Sequence, residues 1–472
     1  MTTAIVVGSG PNGLAAAAAL ATAGMQVTVL EAAATIGGGT RTSELTVPGL
    51  LHDHCSAFHP MAAASPFLRT LDLAACGLKW RWAPVELAHP LAGGRAAVLR
   101  RSLPETVARL GADGGAWQRL FGPLASGFDE LAGDIMRPLA HLPGHPLRLA
   151  GFGVRALQPA AVLARRWQTE EARALFAGAA AHSIYPLTRP ATSAIGLMLV
   201  AAGHRYGWPV AEGGSRAVSD ALAKLVADRG GRIETGVRVD SLDSLPAAGI
   251  VMLDLAPSAV VRLAGSRLPP RVRRAYLRYR HGPAAFKIDF AVAGGIPWAN
   301  QDCRQAGTVH VGGTLTEIVA AERAVHRGEL PARPFVLVGQ QYLADPGRSR
   351  GDVHPVWAYA HVPAGYRGDA TDAVIGQIER YAPGFRERIV AQARTGPAEW
   401  PAYNPNYLGG DILTGANTPR QVLLRPRLTA DPYRTGIPGV YLCSAATPPG
   451  AGVHGMCGYN AAQSALRYAR AL

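Results

Sequence analysis

The first forty residues contain the pattern that most constrains how this chain can fold. An apolar, β-branched run at residues 4–7 is followed by the glycine-rich residues 8–13 and then by an unbroken helix-forming run at residues 14–23. A second β-type run, residues 26–30, ends at Glu31. This order predicts strand, glycine turn, helix and second strand, the first unit of a dinucleotide-binding fold.

The glycines of this turn have separate predicted roles. Gly8 permits the tight turn, Gly10 lets the backbone approach a pyrophosphate, and Gly13 lets helix and strand pack closely. The phosphates would lie at the positive end of the helix, which predicts cofactor contacts at Gly8, Ser9, Gly10, Pro11, Asn12 and Gly13. Glu31 would accept hydrogen bonds from the ribose hydroxyls. This motif alone fits either NAD or FAD.

The residues after Glu31 favour FAD. The segment 36–42 is a second glycine-rich turn that resembles the GGxxR/T motif of the glutathione reductase-like superfamily. The resemblance implies that Gly38, Gly39 and Thr40 bring the backbone close to the flavin half of FAD. Arg41 would face the pyrophosphate as a bidentate donor. The alternative is a flexible turn with a surface arginine.

The C-terminal end carries a third motif. Residues 439–444 have the pattern of a buried strand, 445–455 of a Gly/Pro-rich loop and 459–471 of a helix. A helix N-terminus directed at the pyrimidine edge of the flavin would stabilise the negative charge that develops at N1 and O2 on reduction. We expect cofactor contacts here at Ser444, Gly452, Val453 and His454. His454 is also a candidate for a charge near the ring or for proton exchange, and the alternative is a loop histidine held by backbone hydrogen bonds.

These motifs, with several others in the middle of the chain, resemble the phytoene desaturase-related flavin oxidoreductases. The branch is the one that includes pyridine nucleotide-disulfide oxidoreductase domain-containing protein 2 and the phytoene dehydrogenase-like bacterial proteins. The matching segments are 449–462, 212–215, 335–339, 357–363, 382–385 and 409–411. Ala451 departs from the pattern, where a third glycine is common. The only complete GxGxxG is N-terminal, which argues against a separate nicotinamide-binding domain.

The resemblance implies an FAD-dependent dehydrogenase or desaturase that takes a hydride from a small, largely apolar and isoprenoid-like substrate. Oxygen, a quinone or another acceptor would receive the electrons. Two alternatives remain open: oxidation of C–N bonds as in flavin amine oxidases, and a flavin-binding regulatory protein with little turnover.

The predicted fold class is α/β, with a glutathione reductase-like, FAD-binding Rossmann domain and a discontinuous mixed-sheet plus helical substrate domain. The FAD domain would comprise residues 1–80, 205–255 and 415–472, with the backbone near Val237 contacting adenine. The substrate domain would comprise 81–204 and 256–414, with its helical part at about 104–204. A hairpin is predicted at 85–99 with its turn at Gly93-Gly94, and strands at 232–239, 250–255, 286–292 and 334–342.

The middle of the chain offers a second catalytic candidate. Lys287 alternates with Phe286 and Ile288 in a predicted strand and shares a face with Asp289. The resemblance to flavin amine oxidases would place Lys287 near flavin N5 through a water, and the alternative is a solvated strand face with a Lys287–Asp289 pair. Five aromatic residues could line a substrate tunnel or form core: Trp357, Tyr359, Trp400, Tyr403 and Tyr407.

Composition limits the partners and the location. The net charge is +14, yet there are only three lysines and no basic run interleaved with aromatics, so we expect no nucleic-acid partner. The five cysteines lack metal-like or paired spacing, and no metal is predicted. No export signal or membrane span is visible, which favours a cytoplasmic location. Residues 146–167 mix apolar side chains with arginines, and could touch a membrane peripherally or form an ordinary amphipathic helix pair.

Overall fold

The computed structural model describes residues 3–138 and 140–469. Its strands are β1 (Thr3–Val7), β2 (Gln26–Glu31), β3 (Thr42–Glu44), β4 (Leu51–Asp53), β5 (Trp80–Arg81), β6 (Val85–Pro90), β7 (Ala96–Leu99), β8 (Val210–Ala211), β9 (Arg232–Thr235), β10 (Ile250–Leu253), β11 (Ala284–Ala293), β12 (Ala306–Val311), β13 (Val336–Gly339), β14 (Val353–Val362), β15 (Ile389–Thr395) and β16 (Val440–Leu442).

The α-helices follow the same chain order. They are α1 (Pro11–Thr22), α2 (Pro60–Ala63), α3 (Leu103–Arg109), α4 (Gly114–Ser126), α5 (Phe128–Ile135), α6 (Pro146–Ala156), α7 (Ala160–Leu163), α8 (Glu170–Ala181), α9 (Ser193–Tyr206), α10 (Arg216–Asp228), α11 (Pro257–Ala264), α12 (Pro270–Leu277), α13 (Leu315–His326), α14 (Thr371–Glu379), α15 (Trp400–Tyr403), α16 (Pro419–Leu424) and α17 (Met456–Ala469).

A parallel sheet of five strands carries the N-terminal motif. Its order is β16-β10-β1-β2-β9, so strands from three distant parts of the chain lie side by side. The predicted strands at 4–7, 26–30, 250–255 and 439–444 are confirmed with small shifts of their ends. The strand predicted at 232–239 ends at Thr235, because Gly236 takes a left-handed φ of 72° and interrupts the extended backbone.

The N- and C-terminal helices bring the two ends of the chain together. α1 contains a run of buried alanines and packs along α17. A Cβ added at Gly458 of α17 would lie 1.8 Å from the carbonyl oxygen of Asn12, so only glycine allows this approach. The C-terminal helix begins at Met456, three residues before the predicted start, and the predicted end at residue 471 lies outside the described residues.

A second, mixed sheet has the order β15-β11-β14-β13-β12-β6-β7. β6 and β12 are parallel, and the other neighbours are antiparallel. The predicted hairpin at 85–99 is confirmed as β6 and β7, and the predicted strand at 286–292 as β11. The strand predicted at 334–342 is shorter and ends at Gly339, where the chain turns into a 3₁₀ segment.

Helices α3 to α9 form the helical region that the sequence predicts at about 104–204. Their core is aromatic: Trp117, Phe121, Trp167 and Phe176 are fully buried and contact one another. The protein is therefore a mixed α/β fold, and the domain boundaries given above remain a prediction. No helix in the ranges 3–138 and 140–469 is long and apolar enough to cross a membrane.

Candidate cofactor and substrate site

One continuous cavity of about 1150 Å³ runs from the glycine turn after β1 to the helical region. Its first half is lined by the N-terminal and C-terminal loops of the parallel sheet, and its second half by α6, α9 and the mixed sheet. The carboxyl ends of parallel strands open into the first half, where ligands of doubly wound folds bind. If each half binds one ligand, the two ligands would contact each other, and could react, where the halves meet.

The glycine turns form a close-packed cradle at the first half. Gly8 has a φ of 100°, and a Cβ at Gly13 would lie 2.1 Å from the Gly8 carbonyl oxygen. A Cβ at Gly38 would lie 2.9 Å from the Cα of Gly10, so the two glycine turns touch each other. These positions need glycine for backbone conformation and for contact distance, as the motif predicts.

Glu31 organises the cradle from the end of β2. Its Oε2 accepts hydrogen bonds from the Ser9 amide at 2.9 Å and the Ser9 hydroxyl at 2.5 Å, and its Oε1 accepts from the Ala33 amide at 2.8 Å. The side chain is nearly buried and lines the cavity. Glu31 therefore fixes the shape of the first glycine turn, a role that sequence spacing did not indicate, in addition to its predicted place at a ribose.

Arg41 lines the cavity beside Glu31. Its guanidinium lies 3.5 Å from the Glu31 carboxylate, and it donates to the carbonyls of Thr35 and Tyr403. The guanidinium also lies 5.4 Å from the centre of the Tyr403 ring. The alternative of a free surface arginine is wrong, because Arg41 is held in place at the cavity wall.

The other predicted cofactor contacts can be compared directly with the cavity wall. Every predicted position lines the cavity except Gly13 and Thr40. The Gly13 amide donates to Asp254, and the Thr40 hydroxyl lies 2.5 Å from that of Ser219 and also donates to the Gly37 carbonyl. These two residues therefore lie behind the cavity wall and hold its residues in place through hydrogen bonds. The predicted contacts on the wall are Gly8, Ser9, Gly10, Pro11, Asn12, Glu31, Gly38, Gly39, Arg41, Val237, Ser444, Gly452, Val453 and His454.

Asp254 is a buried residue of this site that sequence reasoning missed. It follows β10, lines the cavity, and its Oδ2 accepts the Gly13 amide at 3.0 Å. Burial raises the pKa of Asp254 to about 7, the Glu31 carboxylate adds to the rise, and the Gly13 amide opposes it. Its position directly after a strand of a parallel sheet was the available signal, since strand ends of such sheets carry ligand contacts.

His454 lies in the C-terminal loop and is buried. Its Nδ1 accepts the Met456 amide at 3.0 Å, which caps the start of α17, and its carbonyl accepts the Ser65 hydroxyl at 2.7 Å. Burial lowers the pKa of His454 to about 4, so the imidazole is neutral at pH 7. The structure thus does not support a charge on His454, and it agrees with a histidine held by backbone hydrogen bonds.

Arg425 is a buried cation of the cavity wall beside the C-terminal loop. Its side chain is 3% exposed and lines the wall next to the loop that contains Gly450. The guanidinium donates to the carbonyls of Gln421 and Ala445 and to the side-chain oxygen of Asn417, all of them uncharged acceptors. A buried cation with uncharged partners favours an anion close by. Arg425 lies outside the predicted motifs, and no local pattern indicates it.

Lys287 is absent from the cavity wall that the described residues form. It is 2% exposed in β11 and forms an ion pair with Asp289, whose Oδ1 lies 3.4 Å from Nδ1 of His52. The Lys287 ammonium holds the pKa of Asp289 below its ordinary value despite burial. The predicted pair is confirmed and the predicted solvated face is wrong. The structure does not bring Lys287 together with His454.

The second half of the cavity is apolar and aromatic. Four of the five aromatic candidates line the cavity: Trp357 and Tyr359 lie in this half, and Tyr403 and Tyr407 lie at its border with the cradle, beside Gly38 and Gly39. Trp400 packs behind them and donates from its indole nitrogen to the Ala285 carbonyl. Further apolar residues complete this half: Ile135, Met136, Leu149, Phe152, Ile195, Met198, Leu199, Leu337 and Ile412.

A few polar groups lie among these apolar residues. His182 lines the cavity, and its Nε2 lies 3.0 Å from that of His310. Burial lowers the pKa of His182 to about 3, so it is neutral. Thr308 also lines the cavity, and its buried hydroxyl has no partner among the described residues. These groups could form hydrogen bonds with one hydroxyl or carbonyl group of an otherwise apolar ligand.

Other chemistry-bearing side chains lie apart from the cavity or lack a ligand geometry. In the described part of the chain, no group of three or more His, Cys, Asp or Glu side chains could hold a metal ion. Cys443 and Cys457 are fully buried, and burial raises the pKa of both thiols. Neither belongs to the described cavity wall, so neither is placed for attachment to a ligand there.

The first half of the cavity fits a dinucleotide. Its glycines leave room for a ligand to approach the backbone, and the N-terminus of α1 opens into it. The buried side-chain oxygen of Asn12 has no hydrogen-bond partner among the described residues, so this amide is available to a ligand. Glu31 and Arg41 supply the acceptor and the donor that ribose and diphosphate require.

Comparisons with known proteins agree with this geometry. A family model described as an NAD(P)-binding Rossmann-like domain matches residues 6–72. The chain is 27% identical to mouse (Mus musculus) pyridine nucleotide-disulfide oxidoreductase domain-containing protein 2, over 98% of this chain and 93% of the mouse protein.

Solved structures show the same fold. An oxidoreductase from Methanosarcina mazei has a TM-score of 0.65 at 16% identity, over 98% of this chain and 100% of that one. A double mutant of putrescine oxidase with redesigned cofactor binding has a TM-score of 0.62 at 19% identity, over 99% of each chain. The predicted resemblance is therefore confirmed: this chain is similar to pyridine nucleotide-disulfide oxidoreductase domain-containing protein 2 over nearly its whole length.

Proposed function

We propose that this chain is an FAD-dependent oxidoreductase, a dehydrogenase or desaturase that takes a hydride from a largely apolar substrate. The observation that carries the proposal is the single cavity with two chemically different halves. A dinucleotide in the first half would present its ring to a ligand in the second. The glutathione reductase-like assignment of the first domain belongs to the same proposal.

The two glycine turns support FAD over NAD. A cavity wall that continues from Gly10 to Gly38 and on to the loop at Gly452 is longer than one glycine turn provides. FAD needs this length, because its flavin lies beyond the diphosphate. The contact between Gly10 and Gly38 supports the view that both turns hold one ligand.

When bound, the flavin would supply the hydride acceptor, and the protein would bind, orient and exclude water. Glu31 would hold the ribose end and Arg41 would face the diphosphate. Arg425, rather than His454, is the residue that we expect to supply positive charge at the flavin end. The helix N-terminus at Met456 would add to this charge.

The distribution of carboxylates supports an uncharged substrate. Glu31, Asp240 and Asp254 line the dinucleotide half, and Asp134 is the other carboxylate of the described cavity wall. Both oxygens of Asp134 already accept backbone amides, from Gly144 and His145. In the apolar half, the carboxylate of the described wall that a cationic amine would meet is Asp134, whose two oxygens already accept amides, and this weighs against a diamine substrate. An isoprenoid-like molecule fits an aliphatic and aromatic wall.

The second candidate function is C–N oxidation. The observation in its favour is the fold shared with putrescine oxidase, together with the Trp357 and Tyr359 rings, which meet edge to face at 4.9 Å on the cavity wall. Aromatic faces can bind a cation without a carboxylate. A third reading, a flavin-binding regulatory protein, predicts binding without turnover.

Anaerobic reduction separates these functions. The purified protein with bound FAD is mixed with an isoprenoid or an amine, and the flavin absorbance is followed. Bleaching by an isoprenoid supports the proposal, and bleaching by an amine alone supports C–N oxidation. Reduction by dithionite but by no substrate supports a regulatory role.

One variant serves as a control for the place of reaction. Ile195 lies in the apolar half, so Ile195→Trp should leave the flavin spectrum and dithionite reduction unchanged while it slows bleaching by substrate. Unchanged bleaching by substrate would mean that the substrate binds elsewhere.

A further inference from the structure

The exposed large apolar side chains are concentrated on one short segment of the chain. Of the ten that are exposed in the described part of the chain, five lie between residues 142 and 162. The exposed fractions are 95% for Leu142, 90% for Leu147, 69% for Val154, 53% for Leu157 and 46% for Val162. Single exposed apolar residues are ordinary, but a cluster of this kind marks an interaction surface.

Helix α6 carries apolar residues on two faces. Leu147 and Val154 are seven residues apart and share the outer face. Phe152 and Ala156 are buried and line the large cavity from the other side. One helix thus separates the apolar half of the cavity from an apolar outer surface, and it is not merely a cover for the core.

The same surface surrounds an opening of the cavity. Leu157 and Leu423 both line the cavity and are exposed to solvent, by 53% and 38%. Leu428, a few residues after Leu423, is 77% exposed. The cavity therefore reaches the solvent between two segments that both expose apolar side chains.

The charge of this surface is mainly positive, and Arg148 is the arginine that pairs with Glu130 of α5. Residues 137–167 contain five arginines and no aspartate or glutamate. Arg155 and Arg166 line a second cavity of about 460 Å³ together with Val154 and Val162. Burial lowers the pKa of Arg166, and the nearby Arg155 and Arg119 charges lower it further, so an anion bound here would relieve repulsion.

We propose that the docking surface, residues 142–166, binds the headgroup layer of an anionic phospholipid bilayer. Leu147 and Val154 enter the acyl region, and Arg155 and Arg166 hold a lipid phosphate in the smaller cavity. The opening at Leu157 then faces the acyl chains, so a lipid-soluble substrate reaches the cavity without crossing water. This last step rests on the proposed function, whereas the docking itself does not.

Sedimentation with vesicles tests the docking. The full-length, FAD-loaded protein is spun with vesicles of phosphatidylcholine plus phosphatidylglycerol, or of phosphatidylcholine alone. We expect binding to the anionic vesicles and about 30-fold weaker binding for Arg155→Gln/Arg166→Gln. Leu147→Ser/Val154→Ser should also weaken binding, by about tenfold or more. All four positions are exposed or half-buried, so the folded state should tolerate these changes.

Matched variants on other surfaces control for net charge and hydrophobicity. Arg232→Gln/Arg323→Gln removes the same charge from exposed positions of β9 and α13, and Val390→Ser removes an exposed apolar side chain from β15. These variants should bind vesicles like wild type. Equal losses in the test and control variants, or no binding to anionic vesicles, would overturn the proposal. Binding without substrate-dependent bleaching would contradict the proposed function and leave the docking intact.

Discussion

Asp254 provides a test of the electrostatics at the cofactor cradle. Its carboxyl is buried beside the Gly13 amide, and a Cβ at Gly10 would lie 2.7 Å from its Oδ2. Burial raises the pKa of Asp254 from 3.8 to about 7. At about 1.4 kcal/mol per pKa unit, the charged form in the folded state costs about 4 kcal/mol.

The sign of the pH effect follows from the raised pKa. The folded state is stabilised by neutral Asp254 at low pH, and this contribution is lost as the pH rises through about 7. Asp254→Asn keeps an acceptor for the Gly13 amide and cannot ionise. We therefore expect the variant and wild type to have similar stability at about pH 4 and the variant to be more stable above about pH 7.

Thermal unfolding at several pH values measures this difference. At about pH 8, the variant should unfold about 5 °C higher than wild type. Asp240→Asn, which removes an exposed carboxylate from the same cavity, should show no such trend. A difference in unfolding temperature between Asp254→Asn and wild type that is the same at every pH would mean that Asp254 does not have a raised pKa in the folded state.

Three further predictions concern the cradle and the cation. Gly39→Ala should weaken FAD binding because its Cβ would lie 2.2 Å from the Tyr407 hydroxyl oxygen, and Tyr407→Phe in the same chain should restore binding in a fluorescence titration. Glu31→Ala should weaken FAD binding about 10- to 100-fold, since it removes an acceptor and leaves the Ser9 amide unpaired, and Glu31→Gln should lose less. Arg425→Gln should lower the two-electron reduction potential of the bound flavin by about 30–60 mV in a dye-equilibration assay, and Arg425→Lys should lower it less; no change would mean that Arg425 is remote from the ring.

The sequence was sufficient for features that depend on local pattern. The strand, glycine turn, helix and Glu31 of the first motif were predictable because each residue has a local backbone role. The β6–β7 hairpin was predictable from its glycine turn. Period-two alternation located β11 but misjudged Lys287, because both faces of β11 are covered in the folded protein.

Residues that act through long-range contacts were not predictable. Asp254 reaches Gly13 across 241 positions of sequence, and Tyr407 reaches Gly39 from the far half of the chain. Arg425 lies in the cavity wall because the fold brings the end of α16 next to the C-terminal loop, where the guanidinium donates to the Ala445 carbonyl. No local pattern encodes such contacts, because tertiary packing creates them.

Identification of the bound nucleotide decides whether the cavity holds FAD. The purified protein is denatured, and the released small molecules are separated and identified by mass spectrometry against protein concentration. We predict FAD at one molecule per chain, with much less retained by a Gly10→Val variant that fills the cradle. Release of NAD, or well-folded protein that neither contains FAD nor binds added FAD, would contradict it.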